Sequence, residues 1–263
     1  MFTMLLFAAA LHLPANCKPF AGLEKIADSS TRWVILGEQH GTAESPEAFA
    51  TLVCWLSAQR GVAVALELPV KEQGAIDAYM ISDGGSKARA ALTSGTIWQS
   101  PVQDGRSSEA YVALLERLRE LKRSGRQIRV LAISPEWKGS SNQRERDIAA
   151  LLQANGSEQN VLVMALVGNV HARRATTVAG ATFPTYLPAK SARTFDIAPE
   201  GGAQWACAMA PGSRTPTCGP RPLESDRLKM SAGVVLEDGA SGFDGIVYLG
   251  KKSTASPPAV RKD

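Results

Sequence analysis

The sequence predicts an α/β fold: a mainly parallel central β-sheet flanked by helices, with a helical cap insertion and a β-rich C-terminal part. Three observations carry this expectation. Four short apolar runs recur between Arg32 and Gly168. Helical patterns separate them. The runs do not alternate polar with apolar residues, which is the mark of strands covered on both faces. Strand and helix in repeated alternation argue for parallel pairing.

Residues 1–15, MFTMLLFAAALHLPA, hold no Lys, Arg, Asp or Glu and have an apolar core from Met4 to Ala10. They read as a signal peptide cleaved near Ala15, which would remove His12; a mature N-terminal helix or strand is the alternative. The run is shorter than the roughly 20 residues that cross a bilayer. Residues 16–250 then form a single domain. Its four strands are Arg32–Gly37, Val62–Leu68, Ile128–Ser134 and Val161–Gly168. Ser45-Pro46-Glu47 starts a helix that Gly61 closes. A second helix, Glu109–Arg123, carries Val112, Leu115, Leu118 and Leu121 at helical spacing and stops at Gly125. Asn142–Ala154 is a third, with Ile148, Leu151 and Leu152 on one side. Residues 80–108, rich in Gly and Ser around Trp98, read as a helical hairpin or cap over the sheet edge. From Arg193 onward RTFDIAP, AQWACAMA and FDGIVYLG read as strands. Residues 251–263, polar and Pro-containing, read as a flexible tail.

Composition narrows the function classes. The 263 residues are 44 % hydrophobic and 21 % charged, which excludes disordered, collagen-like and polytopic membrane chains. Against 25 acidic residues stand 29 scattered basic ones, too small an excess for a nucleic-acid partner. The four cysteines lack CxxC spacing, so a cysteine zinc site is not indicated. After a signal peptide an even count suggests disulfides in an oxidising compartment, periplasmic or extracellular. Cys207 and Cys218 flank a Pro- and Gly-rich loop that a bridge would staple. Cys17 and Cys54 form a second pair or remain free, Cys54 then being a buried thiol.

Histidine placement is more informative. Gly-x-x-His occurs twice, as Gly37-Glu38-Gln39-His40 and Gly168-Asn169-Val170-His171, each directly after an apolar run. Both histidines therefore belong beyond strand C-terminal ends, where open parallel sheets bind ligands. The glycines would let the chain turn off the strand. Glu38 lies inside the first motif. Glu67 ends VAVALE, an apolar setting in which a carboxylate needs a partner; Arg144 or Arg146 can supply one. The turn Asp104-Gly105-Arg106 can present Arg106 to an anionic or carbonyl substrate.

These residues resemble the TIKI superfamily, with its erythromycin esterase-like, ChaN-like haem-uptake, TraB and TIKI protease branches. The carriers are a strand followed by GEQHGT, a strand ending in ALE, the helix RERDIAALL and a strand followed by GNVHA. The nearest resemblance is to ChaN-like and erythromycin esterase-like bacterial proteins. It implies functional roles for His40, His171, Glu38 and Glu67, and for Arg146 of the Arg146-Asp147 pair.

The leading expectation is a secreted or periplasmic hydrolase acting on an ester or amide of a small molecule or peptide. His40 would deprotonate water, with Glu38 or Glu67 orienting it. His171 would polarise the carbonyl or protonate the leaving group, and Asp104, Arg106 and Arg146 would bind substrate. No Gly-x-Ser-x-Gly elbow offers a serine nucleophile. In a second version His40, His171, Glu38 and Glu67 hold a divalent Zn, Mn or Co that acidifies the water. In a third the protein binds haem or another hydrophobic ligand, with Met80, Trp98 and Trp137 lining the pocket; the ChaN-like resemblance implies a tyrosine as haem ligand, but Tyr79, Tyr111, Tyr186 and Tyr248 lie in no haem motif.

Overall fold

The computed structural model describes residues 17, 20–136, 139–158, 160–177, 180–225 and 230–260. The expected signal segment, His12 and Trp137 lie outside them. In chain order the elements are β1 (Trp33–Glu38), α1 (Glu44–Leu56), β2 (Gly61–Pro69), α2 (Gln73–Met80), α3 (Ser86–Leu92), α4 (Glu109–Arg123), β3 (Ile128–Ser134), α5 (Ser141–Gly156), β4 (Val161–Gly168) and α6 (Asn169–Ala172). There follow β5 (Thr176–Thr177), β6 (Gly180–Ala181), β7 (Ala192–Ala198), β8 (Gly202–Ala208), β9 (Thr217–Leu223), β10 (Gly233–Leu236) and β11 (Gly245–Tyr248).

Seven strands form one sheet in the order β10-β11-β7-β1-β4-β2-β3. Every neighbouring pair in it is parallel except β10–β11. The α/β expectation therefore holds, with β7 completing the sheet beside β1. Strand parity explains the apolar runs. Val34, Leu36, Val62, Val64 and Leu66 pack with α1, α2 and α4 on one face. Trp33, Ile35, Ala63, Ala65 and Val167 pack with α5 on the other, where the alanines admit the helix closely. Met80 and Trp98 belong to the first of these cores, so neither lines a ligand pocket.

Residues 80–108 contain α3 and turns rather than a helical hairpin, and lead into α4. The C-terminal segment also departs from its expectation. Ser253 and Ser256 are buried, and Thr254 N–H donates to Glu44 across the molecule. Ser256 Oγ accepts from Ala110 N–H at 3.0 Å, satisfying one of the free donors at the start of α4. Residues 251–260 are thus a packed strap, not a loose tail.

Both disulfides form. Cys207 and Cys218 are cross-strand partners in the separate β8–β9 hairpin, and Cys17 bridges to Cys54 on α1. Among the described residues no helix is long and apolar enough to cross a membrane.

Candidate functional site

Register brings the two motifs together. β1 and β4 are adjacent parallel strands with Gly37 opposite Val167 and Glu38 opposite Gly168, so both chains leave the sheet at one level. His40 and His171 line the same cavity of about 350 Å³ with Glu38, Asp104, Asn169 and Gln204. The motif glycines serve closeness rather than turning. Neither Gly37 nor Gly168 has a positive φ. A Cβ on Gly37 would lie 2.9 Å from Asn169 Cα, and one on Gly168 would lie 2.9 Å from His40 Nε2. The glycine that does need left-handed backbone is Gly41, with φ +80. Gly105, at φ +100, packs so tightly on it that a Cβ there would meet Gly41 N at 2.2 Å. This backbone contact holds the Asp104–Arg106 turn beside the first motif.

Parity also aims the carboxylates. Glu38 shares the face of Val34 and Leu36 and meets Tyr111 of α4. The Tyr111 hydroxyl donates to Glu38 Oε1 at 2.5 Å, and His40 Nδ1 lies 2.9 Å from the same oxygen. Burial raises the Tyr111 pKa well above its ordinary value, and the Glu38 charge adds to that, so the phenol stays a donor. Glu67 shares the face of Ala63 and Ala65 and meets α5. Its Oε1 accepts from Arg144 at 3.0 Å and Arg106 at 3.3 Å. Its Oε2 accepts the Gly168 N–H at 2.8 Å and lies 3.5 Å from His40 Nε2.

His40 thus has a carboxylate against each ring nitrogen. Carboxylates accept only, so Nδ1, 2.9 Å from Glu38, carries a proton, and the Glu67 carboxylate 3.5 Å from Nε2 favours a second and hence the imidazolium. Burial works against this charge, but Glu38 and Glu67 outweigh it and lift the pKa to about 10. Burial likewise opposes charge on Glu67, whose pKa His40 and Arg106 nevertheless hold well below the usual carboxylate range. These two carboxylates work against His40 as a resting general base.

His171 differs. Its Nδ1 lies 2.7 Å from Glu145 Oε1, and Glu145 Oε2 accepts the Phe183 N–H at 2.8 Å. Acting as an acceptor, Glu145 fixes a proton on Nδ1 and leaves Nε2 facing the cavity. No described residue bonds Nε2, and the side chain is 35 % exposed. Sequence reasoning missed Glu145. Its signal was the Arg144-Glu145 pair near the start of α5, with Glu145 five residues after the Ser140 cap.

The Arg146 assignment is corrected by two residues. Arg146 is exposed, with its guanidinium 5.7 Å from the centroid of the Tyr186 ring. Residues two apart on a helix point in different directions, and Arg144 occupies the site instead. Arg106 is present but engaged: Nε lies 3.1 Å from both Asp104 oxygens, Nη2 2.6 Å from Oδ2, and Nη1 reaches Glu67. It is therefore not free to take an anionic substrate.

The proposed metal set does not fit. His40, Glu38 and Glu67 bind one another rather than facing a common point, and Glu145 holds Nδ1 of His171. Among the described residues no group of three or more His, Cys, Asp or Glu is arranged to hold a metal ion. A tyrosine-ligated haem fits no better. The hydroxyls of Tyr79, Tyr111, Tyr186 and Tyr248 are bonded to Glu116, Glu38, Asn142 and Glu200.

No protein-family model and no curated protein matches this sequence. Solved structures do match in fold. An erythromycin esterase mutant in its open conformation superposes with a TM-score of 0.67 over 89 % of this chain and 93 % of its own, at 13 % identity. A type III effector gives 0.46 over 85 % and 88 % at 11 % identity. A bacterial protein toxin gives 0.46 over 67 % of this chain and 35 % of its own at 16 % identity. At such identity the esterase likeness is one of fold.

Proposed function

We propose that this protein is a secreted or periplasmic hydrolase in which His171 and Glu145 activate water against an ester or amide carbonyl. The observation that carries this is the unpartnered Nε2 of His171, beside the doubly bonded His40 in one cavity. The roles are exchanged relative to the sequence expectation. His171 Nε2 takes a proton from water as hydroxide adds to the carbonyl carbon, and Glu145 stabilises the imidazolium that forms. His40 supplies a fixed positive charge and, through Nε2–H, a donor to the developing oxyanion. Its contact with Glu67 at 3.5 Å is the longer of its two, so Nε2–H is the one of its two donors left for a substrate oxygen placed in the cavity. Collapse of the tetrahedral intermediate breaks the C–O or C–N bond, and the proton on His171 passes to the leaving group.

The esterase-like fold supports hydrolysis, and two disulfides support an oxidising compartment. The substrate is a small molecule or peptide that fits the cavity of about 350 Å³. The test is turnover of a panel of 4-nitrophenyl and alkyl esters. His171→Asn should abolish it with the thermal transition unchanged. Equal turnover by that variant would reject the proposal.

A further inference from the structure

Charge in the cavity is one-sided. Among the described residues no Lys or Arg lines it and His40 is its one cationic side chain, whereas the carboxylates Glu38 and Asp104 both line it, Asp104 with its side chain 43 % exposed. The adjacent cations are already committed. Arg106 has all three of its nitrogens on carboxylate oxygens of Asp104 and Glu67. Arg144 bonds Glu67, Ser134 and Glu145 through its terminal nitrogens. His40 stands between Glu38 and Glu67. Around the histidines the carboxylates are Glu38, Glu67, Asp104 and Glu145, against the cations His40, Arg106 and Arg144. Arg106 keeps the Asp104 carboxyl ionised against the effect of burial. Beside it the lining is uncharged: the amides of Gln39, Asn169 and Gln204, and Val170, which is 59 % exposed.

We infer that the cavity selects a cationic substrate, an ester or amide carrying an ammonium group, and that Asp104 is the specificity-determining residue that receives it. This rests on the hydrolytic reading of the same site. An anionic substrate would meet the carboxylates of Asp104 and Glu38 with no described Lys or Arg in the lining to offset them, whereas an ammonium group would find an exposed carboxylate and an apolar wall at Val170 for its alkyl groups. The sequence had suggested the opposite preference, through Arg106, because it does not show that Asp104 and Glu67 both bind that guanidinium.

The test compares three acetate esters of similar size. They are acetylcholine, its uncharged isostere 3,3-dimethylbutyl acetate, and an acetoxy carboxylate. At low salt kcat/KM should favour the cation over the isostere by about tenfold, and the isostere over the anion by about tenfold again. Salt at 1 M, with a Debye length of about 3 Å, should compress the wild-type order. Asp104→Asn should bring cation and isostere within about twofold. A second arm needs no turnover: choline and 3,3-dimethylbutanol are titrated while the His171 ring signals are followed by NMR. Choline binding that Asp104→Asn abolishes, without hydrolysis of any ester, would uphold the charge selection and reject the hydrolase. Hydrolysis of all three esters at similar kcat/KM, or ring shifts that do not distinguish choline from its isostere, would overturn the inference.

Discussion

Replacing Glu145 by Gln separates the geometry of the His171 pair from its chemistry. The carboxylate takes His171 Nδ1 at 2.7 Å on one oxygen and the Phe183 N–H at 2.8 Å on the other. Glutamine has the same shape but a single acceptor. If its amide nitrogen turns toward Phe183, a buried peptide N–H loses its acceptor at a cost of roughly 1–3 kcal/mol. If it turns toward His171, the imidazole adapts by moving its proton from Nδ1 to Nε2, which costs far less. The second arrangement should therefore prevail, and it places a hydrogen on the nitrogen that must accept from water. Where a catalytic histidine is held in the wrong tautomer in this way the loss in kcat is on the order of 10³ to 10⁴, about 4–5.5 kcal/mol of activation free energy. The assay is steady-state hydrolysis of the best ester in the panel, with KM expected within a few-fold of wild type. The thermal transition should shift by only a few degrees. A folded Glu145→Gln protein whose kcat stays within tenfold of wild type would refute the assignment of His171 as base.

Three further outcomes follow from the same geometry. In Gly168→Ala the new methyl would sit 2.9 Å from His40 Nε2 and 3.6 Å from Glu67 Oε2; displacing His40 should cost about 10² in kcat in a protein that still folds, and wild-type rates would show that His40 needs no such closeness. The His40 pKa is raised from 6.5 to about 10, so its contribution to stability is complete below about 6.5 and is lost as pH climbs toward 10. Glu67 is lowered, so its contribution is present above 4.5 and is lost on acidification below it. Urea titrations across pH should show the alkaline decline in wild type and not in His40→Gln; equal declines in both would refute the ion network. Replacing Cys207 and Cys218 by serine removes the staple from a two-stranded hairpin that is marginal alone. Since Gln204, Ala206 and Cys207 line the cavity, KM should rise several-fold with the main thermal transition preserved; an unchanged KM would show that the hairpin wall does not depend on the bridge.

Much of this site was legible because strand parity is a local property. The run VAVALE puts Glu67 on the same side as Ala63 and Ala65, and WVILGE puts Glu38 with Val34 and Leu36; these positions fix which helix each carboxylate meets. That both motifs follow the C-terminal ends of strands was legible from the apolar runs; that β1 and β4 are neighbours was not, because strand order depends on distant pairing. Helical phase was harder. Taking Arg146-Asp147 instead of Arg144-Glu145 turned the chosen pair away from the sheet and hid the partner of His171. β9 was missed because Pro220 and Pro222 suggest a loop, whereas a hairpin paired on one side tolerates them. The strap at 251–260 has no periodicity of its own. It is held by distant partners such as Glu44 and Ala110, which no local pattern displays.

The split in protonation between the two histidines is the centre of the account. Ring-nitrogen NMR of the wild-type protein at pH 7.5, with signals assigned through His40→Asn and His171→Asn, measures it directly. The account predicts His40 protonated on both nitrogens and remaining so until the pH nears 10, and the neutral ring of His171 carrying its proton on Nδ1. A neutral His40 at that pH, or a His171 with its proton on Nε2, would contradict it.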